Sequence, residues 1–238
     1  LNRCKYISVR DRESKALLET FGVPAERVDV VPDPVIGLRL PLRGVSAPSR
    51  ASESHGRLGV AVRYWRDDRK DLAGIADALS TVMETRKDVR VIFFPFHLPH
   101  DAAASRAVID RCVARNPSAA DRLEIRGGNG HPVEMMREIA RCDVLVGMRL
   151  HSLIYAAAAG VPPVGVSYDP KIDRFLGWLD EAPAGSVASL EPGRLAEEIL
   201  RKLELGKSAW MHVKRERIVK MQQNSRKPAQ QIVSELRI

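Results

Sequence analysis

The chain has 238 residues, of which 45% are hydrophobic, and no apolar run approaches the about 20 residues of a membrane span. Its formal charge of +8 admits nucleic acid or anionic lipid as partners, yet aromatics make up only 5% and no basic stripe interleaves with them. The three cysteines, Cys4, Cys112 and Cys142, are far apart and lack metal-ligand spacing, which fits reduced thiols in a cytoplasmic protein.

In chain order, residues 5–10 read as a strand and residues 11–20 as a helix. Ser14, Leu17, Leu18 and Phe21 give that helix a partial apolar face, and Gly22 is its expected stop. Residues 28–31 form a short strand ending in Pro32-Asp33-Pro34. Residues 37–56 turn to Pro, Ser, Arg and Gly without periodicity and read as a linker. From Arg57 apolar strands alternate with helices: strand 58–62, helix near 71–86, strand 89–94, helix near 102–114, strand 123–125. A tight turn at Gly127-Gly-Asn-Gly130 leads to a helix near 132–141, strand 144–147, a small-residue helix ending at Gly160, and strand 164–166. Residues 193–204 and 208–236 read as helical.

Apolar strands alternating with helices predict a parallel sheet covered on both faces. The expected fold class is α/β, a Rossmann-like domain. Residues 1–45 are expected to be the end of a preceding α/β unit, 46–207 the Rossmann-like domain and 208–238 a helical tail. By analogy, two such units make a GT-B-like arrangement of which this chain would be the C-terminal half. The abrupt start, already in a strand pattern and without Met, suggests a missing upstream part.

Ligands of open parallel sheets bind beyond the carboxyl ends of the strands. Strand 144–147 runs there into Arg149 and His151, and strand 164–166 into Tyr168, Asp169 and Lys171. A cation at a helix N-terminus opposes the helix dipole, so Arg149 makes better sense with an anion beside it. The helix start adds N–H groups suited to the same ligand. The expected ligand therefore carries a phosphate or a carboxylate. His151 is the side chain best suited to proton transfer near neutral pH. Arg63 and Trp65 end strand 58–62, and Arg10 and Asp11 end the first strand. His97 also follows a strand end. With His100 and Asp101 it has a weak metal-like spacing, but Pro99 breaks any helix there and no metal is expected.

These pieces resemble the polysaccharide pyruvyltransferase family. The residues that carry the resemblance are Val146-Gly-Met-Arg-Leu-His151, Ala159-Gly-Val-Pro-Pro163 and Tyr168-Asp-Pro-Lys171. Ile7-Ser-Val-Arg-Asp-Arg-Glu-Ser14, Val30-Val-Pro-Asp-Pro34 and Val60-Ala-Val-Arg63 follow the family's order. Within it the chain is most similar to bacterial cell-wall pyruvyltransferases that modify a lipid-linked polymer anchoring S-layer proteins. The resemblance implies phosphoenolpyruvate as donor and no further cofactor. It implies transfer of pyruvate as a ketal to a sugar of a lipid-linked or oligosaccharide acceptor, with release of phosphate; the expected location is cytoplasmic, with the inner face of the membrane left open. Arg149, Lys171 and Arg10 would clamp the donor, with Arg63 a weaker candidate, and His151 would move the proton. Tyr168, Asp169, His97 and Asp11 would line the substrate sites. No nucleic-acid partner is expected; a peripheral membrane contact through basic residues 208–237 stays open. The alternative is a GT-B glycosyltransferase or sugar-nucleotide epimerase, although residues 152–159 contain no acid to hold a ribose.

Overall fold

The computed structural model describes residues 1, 3–38, 56–126 and 131–236. The expected linker lies almost wholly outside the described residues, and so does the tight turn at 127–130. The chain divides into two compact units, Leu1–Arg39 with Arg215–Ile238, and Leu40–Lys214.

The first unit contains strand β1 (Ile7–Val9), helix α1 (Arg12–Thr20) and strand β2 (Val28–Val30). β1 and β2 pair in parallel, Ile7 opposite Val28. Ile7, Val23 and Val28 form a small core, with Leu18 packed against it. The expected apolar face of α1 is only partly used, because Leu17 and Phe21 stay exposed. Gly22 ends the helix as expected. Its φ is +80° and its N–H donates to Glu19 O, while Val23 N–H reaches back to Leu18 O.

The second unit is a six-stranded parallel sheet. Its strands are β3 (Arg57–Ala61), β4 (Arg90–Phe93), β5 (Leu123–Ile125), β6 (Val144–Gly147), β7 (Pro163–Ser167) and β8 (Gly185–Ser186). The order is β5-β4-β3-β6-β7-β8, and every pairing is parallel. Helices α2 (Lys70–Thr85), α3 (His100–Arg115), α4 (Pro132–Ala140), α5 (Leu150–Ala158) and α6 (Pro170–Trp178) connect the strands. This is the Rossmann-like α/β fold. The chain lays β3, β4 and β5 outward in one direction, then returns to the other side of β3 for β6. The reversal leaves a crevice between the carboxyl ends of β3 and β6.

Burial explains the apolar strands. Leu58, Val60, Val91, Phe93, Val144, Val146, Val164 and Val166 all belong to one core with Leu72, Ile75, Leu79 and Val82 of α2 and Ala104 and Val108 of α3. Strands covered on both faces carry no polar alternation. α5 ends on a Schellman motif: Gly160 has φ +72°, its N–H donates to Ala157 O, and Val161 N–H donates to Ala156 O.

Two elements depart from the expectation. β8 is a two-residue strand in Gly-Ser, too short and too polar to show a period. The helix expected over 208–236 is divided: α7 (Pro192–Asn224) ends before α8 (Lys227–Leu236), while the interruption expected between 204 and 208 falls at Gly206 (φ +73°) within α7. Pro228 lacks the N–H needed to extend α7, so the ladder ends before it. Residues from 215 onward cluster with the first unit, where Arg226 donates to Gly37 O at 3.1 Å. Among the described residues no helix is long and apolar enough to cross a membrane.

One buried charge network ties α7 to the sheet in the second unit. Lys202 is 1% exposed, and its ammonium donates to Pro163 O and to Glu181 Oε2 at 2.7 Å. Glu181 Oε1 accepts from Trp210 Nε1 at 2.8 Å. Lys202 also pairs with Glu198 at 3.4 Å, so removing Glu181 weakens the compensation of its buried charge without abolishing it and leaves Trp210 Nε1 without its acceptor. Glu181→Ala is therefore expected to lower unfolding stability by about 2 kcal/mol, measured by urea denaturation. A loss below about 0.5 kcal/mol, the ordinary range of surface changes, would contradict this role.

Candidate active site at the strand ends

The register sets the strand ends level. Ala61 of β3 pairs with Gly147 of β6, and Gly147 pairs with Gly165 of β7. Val60 pairs with Phe93 of β4. Two residues beyond the Ala61–Gly147–Gly165 row stand Arg63, Arg149 and Ser167, and on β4 the same count reaches Phe96. Neighbouring strands lie about 4.8 Å apart, so these ends share one small area.

Gly147 makes the turn into α5 possible. A Cβ there would meet Ser152 Oγ at 2.5 Å and Leu153 Cδ2 at 2.8 Å. Only glycine lets the first turn of α5 fold back onto the end of β6. Ser152, fully buried, donates from Oγ to Arg149 O at 2.7 Å. Arg149 is thereby fixed as the residue capping α5, in extended backbone conformation.

The anion expected beside Arg149 is in part the protein's own. Arg149 Nε donates to Asp101 Oδ2 at 2.9 Å, and Nη2 donates to Asp101 Oδ1. Asp101 has no exposed surface, whereas the Arg149 side chain keeps 20%. Asp101 Oδ2 also accepts the N–H groups of Phe96 (3.1 Å) and His97 (2.9 Å), so it organises the loop after β4. β4 and β6 flank β3, and the ion pair therefore spans the end of β3. Nη1 of Arg149 is not part of this fork.

A second cluster stands at the ends of β3 and β7. Arg63 Nη1 donates to Tyr168 Oη at 3.0 Å. The Arg63 guanidinium lies 4.9 Å from the Tyr168 ring centroid and 5.2 Å from that of Trp65. The rings of Trp65 and Tyr168 are 4.5 Å apart and tilted by 48°. Lys171 Nζ lies 5.1 Å from the Tyr168 ring and 3.1 Å from Asp169 Oδ2. Asp169 caps α6 by accepting from Lys171 N at 3.0 Å. That backbone N–H, aided by the Lys171 ammonium, holds the Asp169 carboxyl below the usual carboxylate range.

His151 is exposed on the first turn of α5, its ring 6.5 Å from that of Tyr155. His97 stacks on His100 with ring centroids 5.5 Å apart, and among the described residues no group of three or more His, Cys, Asp or Glu gathers as a metal site. Arg10 and Asp11 belong to the first unit. Arg10 pairs with Asp33 at 2.9 Å, and Asp11 caps α1 by accepting from Ser14 N at 2.7 Å. Within the second unit the structure thus joins Arg63, Tyr168, Asp169 and Lys171 directly. Arg149 and His151 stand at the neighbouring strand end, and His97 stands at the end of β4.

The model of the polysaccharide pyruvyl transferase family matches residues 1–170. The chain belongs to that family. No curated protein matches the chain in sequence. Its fold is similar to that of several solved structures. UDP-GlcNAc 2-epimerase from Neisseria meningitidis is 11% identical, with TM-score 0.64, over 97% of this chain and 62% of that one. A glycosyltransferase from Rickettsia africae is 13% identical, with TM-score 0.63, over 98% of this chain and 64% of that one. UDP-GlcNAc 2-epimerase from Methanocaldococcus jannaschii is 15% identical, with TM-score 0.58, over 83% of this chain and 54% of that one. The chain therefore spans between 54% and 64% of the length of these structures. These are GT-B-type folds, and the likeness is one of fold.

Sequence reasoning missed the role of Asp101, which it treated only as a companion of His97 and His100. The available signal was an acid in the first turn of a helix that follows a strand end. Asp101→Asn keeps the shape and removes the charge, leaving Arg149 without its counter-ion. It is expected to cost about 3 kcal/mol, read from the urea midpoint. A stability within about 0.5 kcal/mol of the parent would show that the pair does not hold the strand ends together.

Proposed function

We propose that the strand-end cluster binds phosphoenolpyruvate and that the protein transfers its three-carbon unit to two hydroxyls of a sugar, as a ketal, with release of phosphate. The acceptor would be a surface or cell-wall polysaccharide or its lipid-linked precursor. The observation that carries the reading is the delivery of Arg63, Arg149 and Lys171 to the ends of three adjacent strands, β3, β6 and β7. Phosphoenolpyruvate carries a phosphate and a carboxylate, and several fixed cations match that pair of anions. Arginine suits both groups because its planar fork binds two oxygens at once. Membership of the family supports the same chemistry.

The balance of the reaction assigns the remaining roles. His151 as imidazolium gives a proton to C3 of the enol, which makes C2 electrophilic. One sugar hydroxyl adds to C2, the C2–O bond to phosphate breaks, and the second hydroxyl closes the ketal. Of the two hydroxyl protons, one restores His151 and the other leaves with phosphate. The positive end of the α5 dipole, with Nη1 of Arg149, suits the departing phosphate. The basic residues of the C-terminal helices would favour an anionic membrane surface carrying the acceptor.

A nucleotide sugar is the rival donor, because the similar solved structures include UDP-GlcNAc 2-epimerases. That likeness is one of fold alone, and α5 carries no acidic residue to hold a ribose. The test follows phosphate by 31P NMR while the chain is incubated with phosphoenolpyruvate and an acceptor glycan. The expected result is acceptor-dependent phosphate release and a product heavier by one pyruvate less one water. His151→Gln is expected to slow release by about 100-fold or more, the range of general acid–base catalysis. Consumption of UDP-N-acetylglucosamine with phosphoenolpyruvate left intact would overturn the reading.

A further inference from the structure

We propose that the Trp65–Tyr168 pair is a stacking platform for one pyranose ring of the acceptor, set beside the donor site. The proposal rests on the pyruvyl-transfer reading for the name of the acceptor, but not for the chemistry of the platform.

Position and exposure together point to Trp65. Trp65 is 48% exposed, whereas Trp210, Phe93 and Phe94 are at most 2% exposed; Phe21, at 70%, is also in water but lies on α1 of the first unit, away from these strand ends. A large aromatic surface left in water forgoes burial worth about 2 kcal/mol, so its position calls for a purpose. That position is the carboxyl end of β3, at the reversal of strand order, where ligands of this fold class bind.

The pair is also held rigidly. Tyr168 packs on one side of Trp65 at 4.5 Å. Arg63 engages both rings and donates to Tyr168 Oη, and Lys171 lies over the Tyr168 ring. An aromatic surface fixed from several sides loses little entropy when a ligand settles on it.

The chemistry of the surroundings narrows the ligand. Phosphoenolpyruvate is small and doubly anionic, and it has no broad apolar face to stack. A pyranose has one: its axial C–H groups form an apolar face, ringed by hydroxyls. Beside the platform stand the groups such hydroxyls need, the ionised Asp169 carboxylate as acceptor and the Arg63 guanidinium as donor. A nucleobase could also stack on an indole, but the absence of any acid in α5 argues against a nucleoside.

The test is saturation-transfer NMR on the parent chain, Trp65→Ala and Trp65→Phe. The probes are the methyl β-glycosides of N-acetylmannosamine, N-acetylglucosamine and galactose, with UDP as a separate probe. Phosphoenolpyruvate affinity is measured on the same samples by calorimetry. The expected result is saturation of the ring C–H protons of at least one glycoside. Binding should weaken about tenfold in Trp65→Ala, the loss of one aromatic contact, and largely survive in Trp65→Phe. Phosphoenolpyruvate affinity should hold in Trp65→Phe, which keeps a ring against Arg63, and should fall less than glycoside affinity in Trp65→Ala. Glycoside binding equal in parent and Trp65→Ala would overturn the proposal, and so would no glycoside binding at all. UDP binding that depends on Trp65 while glycosides fail would overturn it in favour of a nucleotide platform. Trp65-dependent glycoside binding without any phosphoenolpyruvate binding would support the platform and remove the pyruvyl-transfer reading.

Discussion

The ion pair between Asp101 and Arg149 is the constraint on which the site depends. It joins the start of α3 to the start of α5, across the end of the intervening strand β3. Its carboxylate is fully buried and accepts four hydrogen bonds, two from the guanidinium and two from the backbone after β4. A buried pair of this kind seldom adds net stability over apolar packing. What it does supply is orientation. A long, flexible arginine becomes a fixed donor at the reversal of the sheet, with one edge of its fork committed and Nη1 outside that commitment.

The rest of the sheet serves the same end. Gly147 lets α5 fold against β6, and Ser152 locks the turn, so the backbone that carries Arg149 has little freedom. On the other side of the crevice Arg63 is held against two aromatic rings, a cation arranged by stacking in place of a carboxylate. Lys171 is set by the cap of α6. Three cations on three strand ends are thus oriented by three different devices. Fixed dipoles and charges of this sort need no rearrangement when an anion arrives, which is the electrostatic advantage of a preorganised site.

Much of the second unit was legible in the sequence because its strands are buried on both faces. Runs such as Val144–Gly147 and Pro163–Ser167 carry no polar residue apart from the terminal Ser167, and helices of matching length separate them. The strand-end rule then pointed to Arg149, His151, Tyr168 and Lys171 without any long-range information. What stayed hidden required knowledge of contacts distant in sequence. Asp101 and Arg149 are 48 residues apart, and Arg63 and Tyr168 are 105 apart. β8 was hidden because two residues of Gly-Ser hold no period. The break before α8 was signalled by Pro228 but outweighed by the helical pattern on both sides. Leu17 and Phe21 fit an apolar stripe on α1, yet spacing alone does not say whether a stripe is covered.

The central claim is that these cations form a phosphoenolpyruvate site. The direct measurement is calorimetric titration of phosphoenolpyruvate into the parent chain, Arg149→Lys and Lys171→Ala at low ionic strength. Lys171 is partly exposed, so its removal tests charge without endangering the core. The account predicts saturable binding by the parent and an affinity lower by about tenfold in each variant, the scale of one charge-assisted contact. No binding by the parent, or binding that neither substitution changes, would contradict it.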